Sequence, residues 1–253
     1  MCPLLKRLTI DLNSDIGELT SGNNDEQILR LVSSVNISCG VHAGSEELIS
    51  RTIALAKTAG VAIGAHPGLA GEFGRGEGPI DPIEAHMELI RQLDSFRKAS
   101  EVAGITVSHV KPHGSLYNQA ETNADLADAI VDAINMSVPD AAVYGLAGGQ
   151  LLSVARGAGL RTVGEFFADR AYEANGKLVP RSKNGAVYAD SEEVVQRALA
   201  ALANGTIEAW DGTQVAVKFD TVCVHGDSPA AVEMIKSLRS ALQGASVQIE
   251  PPQ

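Results

Sequence analysis

Short runs of β-branched and other apolar residues alternate along this chain with longer segments whose apolar positions recur every three or four residues. That alternation is the strongest constraint on the fold. Parallel strands cannot be joined by tight turns and need a crossover, usually a helix, so repeated βα units predict a mostly parallel sheet covered by helices. Strands are predicted at Leu8 to Asn13, Val35 to Cys39, Val61 to Ala65, Thr106 to Lys111, Ala142 to Leu146, Thr162 to Phe166 and Thr221 to Val224, with an edge strand at Val247 to Ile249. Helices are predicted at Asp25 to Ser33, Ser45 to Ala59, Asp81 to Ala103, Asn123 to Asn135, Gly149 to Ala158, Glu192 to Ala203 and Pro229 to Gln243. Ser45-Glu46-Glu47 and Asp81-Pro82 read as helix starts, with a capping side chain followed by early carboxylates or by proline. Asn175-Gly176 and Asp211-Gly212 read as hairpin turns. No linker or repeat divides the 253 residues, so the expectation is one barrel domain over 1–253 with a hairpin insertion near 169–190.

Nearly every predicted strand ends in polar residues beside glycine. Strand one leads into Asp11, Asn13, Asp15 and Glu18; strand two into His42-Ala43-Gly44; strand three into His66-Pro67-Gly68. Strand four ends at His109, Lys111 and His113, strand six at Glu165, Asp169 and Arg170, and strand seven at His225-Gly226-Asp227. Five of the six histidines lie in these segments, and only His86 falls inside a helix. Parallel α/β folds gather their active sites at the carboxyl ends of the strands, so these separated clusters are expected to converge.

Other functions are disfavoured. Twenty Lys and Arg against 31 Asp and Glu give a net charge of -11, which repels nucleic acid. Three cysteines at wide spacing suggest no disulfide framework, and no apolar stretch nears the ~18 residues of a membrane span, so a cytoplasmic protein is expected. Asp11-x-Asn13-x-Asp15 lacks the later Gly and Glu of a calcium loop, and no phosphate-binding loop for ATP or nucleophile elbow is present. Cys39 and Cys223 fall where buried strand residues belong.

The segments Asp11-Leu12-Asn13-x-Asp15-x-Gly17-Glu18, Cys39-Gly40-x-His42-Ala43-Gly44, Gly64-Ala65-His66-Pro67, Lys111-Pro112-His113-Gly114, Phe167-Ala168-Asp169-Arg170-x-Tyr172 and Cys223-Val224-His225-Gly226-Asp227 resemble those of the LamB/YcsF family from about Leu8 to Leu242. The resemblance implies an irregular (β/α) TIM-like barrel of about seven mainly parallel strands, related to YdjC-like and polysaccharide deacetylase barrels. It implies the A subunit of an ATP-dependent 5-oxoprolinase, which opens 5-oxo-L-proline, a small anionic lactam, to L-glutamate together with B and C subunits. ATP would be used by the complex, in keeping with the missing motif, and a homo-oligomer is allowed. The deacetylase likeness adds a divalent metal held by Asp15, His66 and His113; the same residues without a metal are the alternative. Around this site the expected roles are Asp11 or Asp15 as base, Lys111 at the oxyanion, His113 and His42 as proton relays, and Arg170 on the substrate carboxylate. Asn13, Arg75, Glu165, Asp169, His225 and Asp227 complete the expected substrate contacts. The loop Gly68-Leu69-Ala70-Gly71-Glu72-Phe73-Gly74-Arg75-Gly76 departs from the family pattern, lacking its usual Asp and second Arg. Two rival classes stay open: a stand-alone metal-dependent amidase or deacetylase, and a substrate-holding subunit without catalysis.

Overall fold

A computed structural model describes residues 9–18, 24–71, 74–76, 78–226 and 230–252. In chain order the strands are β1 (Thr9–Ile16), β2 (Ser34–Ser38), β3 (Ala62–His66), β4 (His109–Val110), β5 (Ala142–Leu146), β6 (Thr162–Phe167), β7 (Thr206–Glu208), β8 (Gln214–Ala216), β9 (Thr221–Cys223) and β10 (Gln248–Ile249). The helices are α1 (Asp25–Ile28), α2 (Glu46–Ala59), α3 (Pro82–Val102), α4 (Gly114–Ala120), α5 (Ala124–Ser137), α6 (Gln150–Gly157), α7 (Ser191–Asn204) and α8 (Ala231–Gly244). Strands β1 through β6 pair in sequence order, β6 pairs with β9, and β9 returns to β1, every pairing being parallel. The result is the expected closed barrel of seven strands, with β10 added beside β1.

Side chains alternate across each strand, and here the two faces differ in chemistry. Leu12, Val35, Ile37, Ile63, Val110, Val143, Phe166 and Val222 join the core cluster with helix residues such as Ile53, Leu89, Leu93, Ile130 and Leu238. The opposite face carries Asp11, Asn13, Asp15, Asn36, His109, Tyr144, Glu165 and Thr221, which bond one another across the barrel. The interior is therefore polar and buried, an arrangement that persists only because nearly every group has a partner.

Local signals set the helix ends. Ser45 accepts a hydrogen bond from the Leu48 N–H, and Gly60 closes α2 at φ +72. Asp81 accepts from the Ile83 and Glu84 N–H groups ahead of Pro82, and Asn123 and Asp190 cap α5 and α7. Gly176 takes φ +82 in the Tyr172–Leu178 turn, and Gly212 takes φ +86 between the antiparallel β7 and β8, so both predicted hairpins form.

Three expectations are corrected. Helix α1 stops at Ile28 rather than Ser33, because Ser33 is drawn to β1: its N–H donates to the Leu12 carbonyl and its hydroxyl to Asp11. Strand β1 runs on to Ile16, since Asn13 to Ile16 pair with Ser34 to Ile37. Strand β4 is only His109–Val110, and the unpredicted α4 starts directly after Pro112-His113. The predicted positions Leu8 and Pro229 lie outside the described residues. No helix among the described residues is long and apolar enough to cross a membrane.

Candidate active site at the barrel mouth

Lys111 follows β4 and buries its ammonium at the centre of the site. Nζ lies 2.9 Å from Asp15 Oδ1, 2.9 Å from Glu165 Oε1 and 3.3 Å from Cys223 Sγ, which occupies all three of its N–H donors. Burial alone would raise the Asp15 carboxyl, but the His66 imidazole facing it and the Lys111 ammonium outweigh that and hold Asp15 well below the usual carboxylate range. Burial alone would likewise depress Lys111, yet the facing carboxylates hold it well above its ordinary value. Glu165 behaves differently: its burial exceeds the help from Lys111 and its pKa is raised. Two carboxylates on one ammonium thus differ in proton affinity, with Asp15 the firmly ionised member.

Asn36 Nδ2 donates to Asp15 Oδ1 at 2.8 Å and to Asn13 Oδ1 at 2.8 Å, while Asn13 Nδ2 donates to Glu165 Oε1 and Thr221 Oγ1. Beneath them His109 bonds Asn36 Oδ1 at 2.8 Å and Ser108 Oγ at 2.6 Å, and stacks on Tyr144 at 4.0 Å. Burial pushes the His109 imidazole down to about 3. The sign follows directly: between pH 6.5 and about 3 the unfolded chain takes up a proton that native His109 refuses, so stability falls as the medium is acidified. Urea titrations below pH 6.5 should show His109 contributing about 1.4 kcal/mol of lost stability per pH unit, and His109→Gln should flatten that slope. An unchanged slope would count against a neutral native imidazole.

Above the ammonium, Glu18, His42, His66 and His113 bring one ligand atom each within 4.8 Å of the others. His66 Nδ1 faces the Lys111 carbonyl at 2.7 Å; a carbonyl only accepts, so Nδ1 carries the proton and Nε2 presents its lone pair to the cluster. That Nε2 lies 2.9 Å from His113 Nδ1 and 3.4 Å from Asp15 Oδ2. Glu18 Oε1 lies 3.5 Å from His42 Nε2 and 3.7 Å from His113 Nδ1. Ligands about 2.1 Å from one tetrahedral ion sit about 3.4 Å apart, so these separations suit a first-row divalent cation. Glu18 Oε1 is moreover buried with no hydrogen-bond partner among the described residues. The cluster holds His66 and His113 of the set expected from sequence together with Glu18 and His42, while Asp15, with Oδ1 on Lys111 and Asn36, keeps Oδ2 3.4 Å from His66 Nε2. Glycines make the crowding feasible, since a Cβ on Gly68 would stand 2.4 Å from His42 Nδ1.

A cavity of about 560 Å³ opens over this floor, lined by Asp15, His66, Lys111 and His113 below and by Tyr117, Phe167, His225, Arg75, Arg170 and Arg181 around the wall. Asp169 accepts from His225 Nδ1 at 2.7 Å, which orients that ring. Other expectations need correction. Asp11 does not reach the cavity; Ser33, Ser34, Thr221 and Tyr144 surround its carboxylate and burial raises it, so a role as base finds no support. Asn13 and Glu165 act from beneath the floor rather than as lining. Lys111 has no N–H left for an oxyanion. Arg170 lines the cavity but donates to the Val179 and Ala186 carbonyls, and Asp169 goes to His225 instead. Asp227 lies outside the described residues. Glu18 and Tyr117 were missed as site residues, although Glu18 was visible as a carboxylate following Gly17 at the end of β1. Cys39 and Cys223 are buried free thiols, as expected.

Residues 10–253 match the LamB/YcsF family. A protein of Geobacillus kaustophilus that bears the name of the 5-oxoprolinase A subunit is 43% identical over 248 residues, covering 96% of this chain and 97% of that one. The crystal structure of a lactam utilization protein from Thermus thermophilus superposes with a TM-score of 0.89 at 40% identity, over 96% of this chain and 99% of the other. A family 4 carbohydrate esterase from Streptomyces lividans, 15% identical with a TM-score of 0.51 over 96% and 92% of the two chains, shares the barrel alone. With residues 10–253 matched and 96% of its length aligned to the Geobacillus kaustophilus relative, the chain belongs to the LamB/YcsF family.

Proposed function

We propose that this chain is the A subunit of an ATP-dependent 5-oxoprolinase, opening 5-oxo-L-proline to L-glutamate in a cytoplasmic complex with B and C subunits. The observation that carries the reading is the histidine-rich cavity at the barrel mouth of a chain matched over 96% of its length by a relative bearing that name. A five-membered lactam is a stable amide. Phosphorylation of its oxygen elsewhere in the complex would make the ring carbon electrophilic, so that water adds and the C–N bond breaks to give γ-glutamyl phosphate, whose hydrolysis releases phosphate and L-glutamate. The lack of a phosphate-binding loop here fits phosphorylation at another subunit.

Glu18, His42, His66 and His113 would hold a divalent ion, which supplies Lewis-acid polarisation of the carbonyl or a more acidic water. The chain's own groups divide the remaining work. His225, with Nδ1 held by Asp169, keeps Nε2 for the proton of the attacking water and returns it to the ring nitrogen as the C–N bond breaks. Asp15, kept ionised by Lys111, faces His66 and stabilises positive charge arising in the imidazole cluster.

Reconstitution with the partner subunits, following glutamate release, tests this. Asp15→Asn, His113→Ala and His225→Gln should each lower turnover at least about a hundredfold; full activity in all three variants overturns the assignment. Omitting each subunit in turn, with and without ATP, separates the rivals: chelator-sensitive turnover without ATP marks a free-standing amidase, and ring opening without this chain marks a passive holder.

A further inference from the structure

The anion-binding element of the cavity is separable from its imidazole floor. Arg170 is 3% exposed, and its guanidinium is tied to two backbone carbonyls: Nη2 donates to Val179 at 2.6 Å and Nε to Ala186 at 3.3 Å. Those carbonyls flank the segment 180–185, itself closed by hydrogen bonds from the Lys183 N–H to Pro180 and from the Ala186 N–H to Lys183. Arg170 therefore braces a loop whose next residue after Pro180 is Arg181. Arg181 is half-buried and lines the cavity, with no hydrogen bond or ion pair among the described residues. Lys183, its neighbour, is engaged with Glu173 at 4.0 Å and with the Trp210 ring. Burial and the nearby charges of Arg181 and Arg75 pull Arg170 down to about 10, so three guanidiniums crowd one wall.

On the floor, the Lys111 ammonium is already committed to Asp15 and Glu165. An anionic lactam entering this cavity therefore finds an uncommitted guanidinium at Arg181 on the wall, which leaves its amide toward the imidazoles. We propose that Arg181 binds the substrate carboxylate, in the bidentate manner of a guanidinium, and that Arg170 is the positioning residue that holds Arg181 there. The assignment rests on the 5-oxoprolinase reading for the identity of the lactam.

Calorimetric titration of the chain with 5-oxo-L-proline and with 2-pyrrolidinone, the same ring without the carboxylate, tests it. R181Q should weaken 5-oxo-L-proline about tenfold or more, leave 2-pyrrolidinone binding unchanged, and leave the thermal midpoint where it was. R181K should recover part of the loss. R170Q should weaken the same ligand and also lower the midpoint, because the loop loses its brace. Equal affinity of R181Q and the parent chain for 5-oxo-L-proline, or no binding to the parent, overturns the subsite. Carboxylate-dependent binding in a complex that opens no lactam keeps the subsite and sinks the functional reading instead.

Discussion

Lys111→Met is expected to destabilise the protein by about 3–5 kcal/mol, the cost of removing one partner from a buried ionic group. Asp15 and Glu165 are 8% and 0% exposed and both lie 2.9 Å from Nζ. Without the ammonium, one carboxylate must take up a proton or two like charges must share a desolvated space. Methionine fills much of the volume, so the loss reports charge rather than a cavity. In a chain of this size each kcal/mol lowers the thermal midpoint by about 2–4 °C, so a drop of about 10 °C is expected by calorimetry. Adding Glu165→Gln should restore part of it, since the double variant retains a single carboxylate at that point. A shift under about 1 kcal/mol for Lys111→Met would mean that the three groups are not ionised as described.

Gly64→Ala should be nearly as damaging, at about 3 kcal/mol. A Cβ at this position would stand 2.2 Å from Cδ2 and Nε2 of His109. Neither side can retreat. The backbone of β3 is paired on both edges, to β2 and to β4. The His109 ring is bonded at both nitrogens and stacked on Tyr144. Chemical denaturation of Gly64→Ala and of Gly64→Ala with His109→Ala distinguishes a clash from a backbone effect. The second substitution removes the ring that the methyl strikes, so the pair should cost less than the sum of the two single changes. Strict additivity would overturn the close approach.

Much of the architecture was readable from the chain alone. Strands β2, β3, β5 and β6 fall within a residue of their predicted limits, because each is a compact apolar run between helical patterns, and the caps at Ser45 and Asp81 carry their signal locally. Helix α4 was not readable: seven residues are too few for a periodic pattern to emerge. Helix α1 was overestimated because Ser33 has a partner, Asp11, that is remote in sequence.

For the site, sequence determined that histidines and carboxylates gather at the ends of parallel strands, since the period of βα units fixes that end of the barrel. Only the tertiary structure decided their depth and partners. Alternate residues of a strand lie about 6–7 Å apart along it, so Asp11, Asn13 and Asp15 occupy three levels of one interior, and only Asp15 reaches the cavity. Closure of β9 onto β1 brings Glu165 and Cys223 to Lys111, and the loops after β1 and β2 bring Glu18 and His42 to His66 and His113. Such pairings join residues up to 112 positions apart. They are set by barrel closure and side-chain direction, which no local pattern encodes.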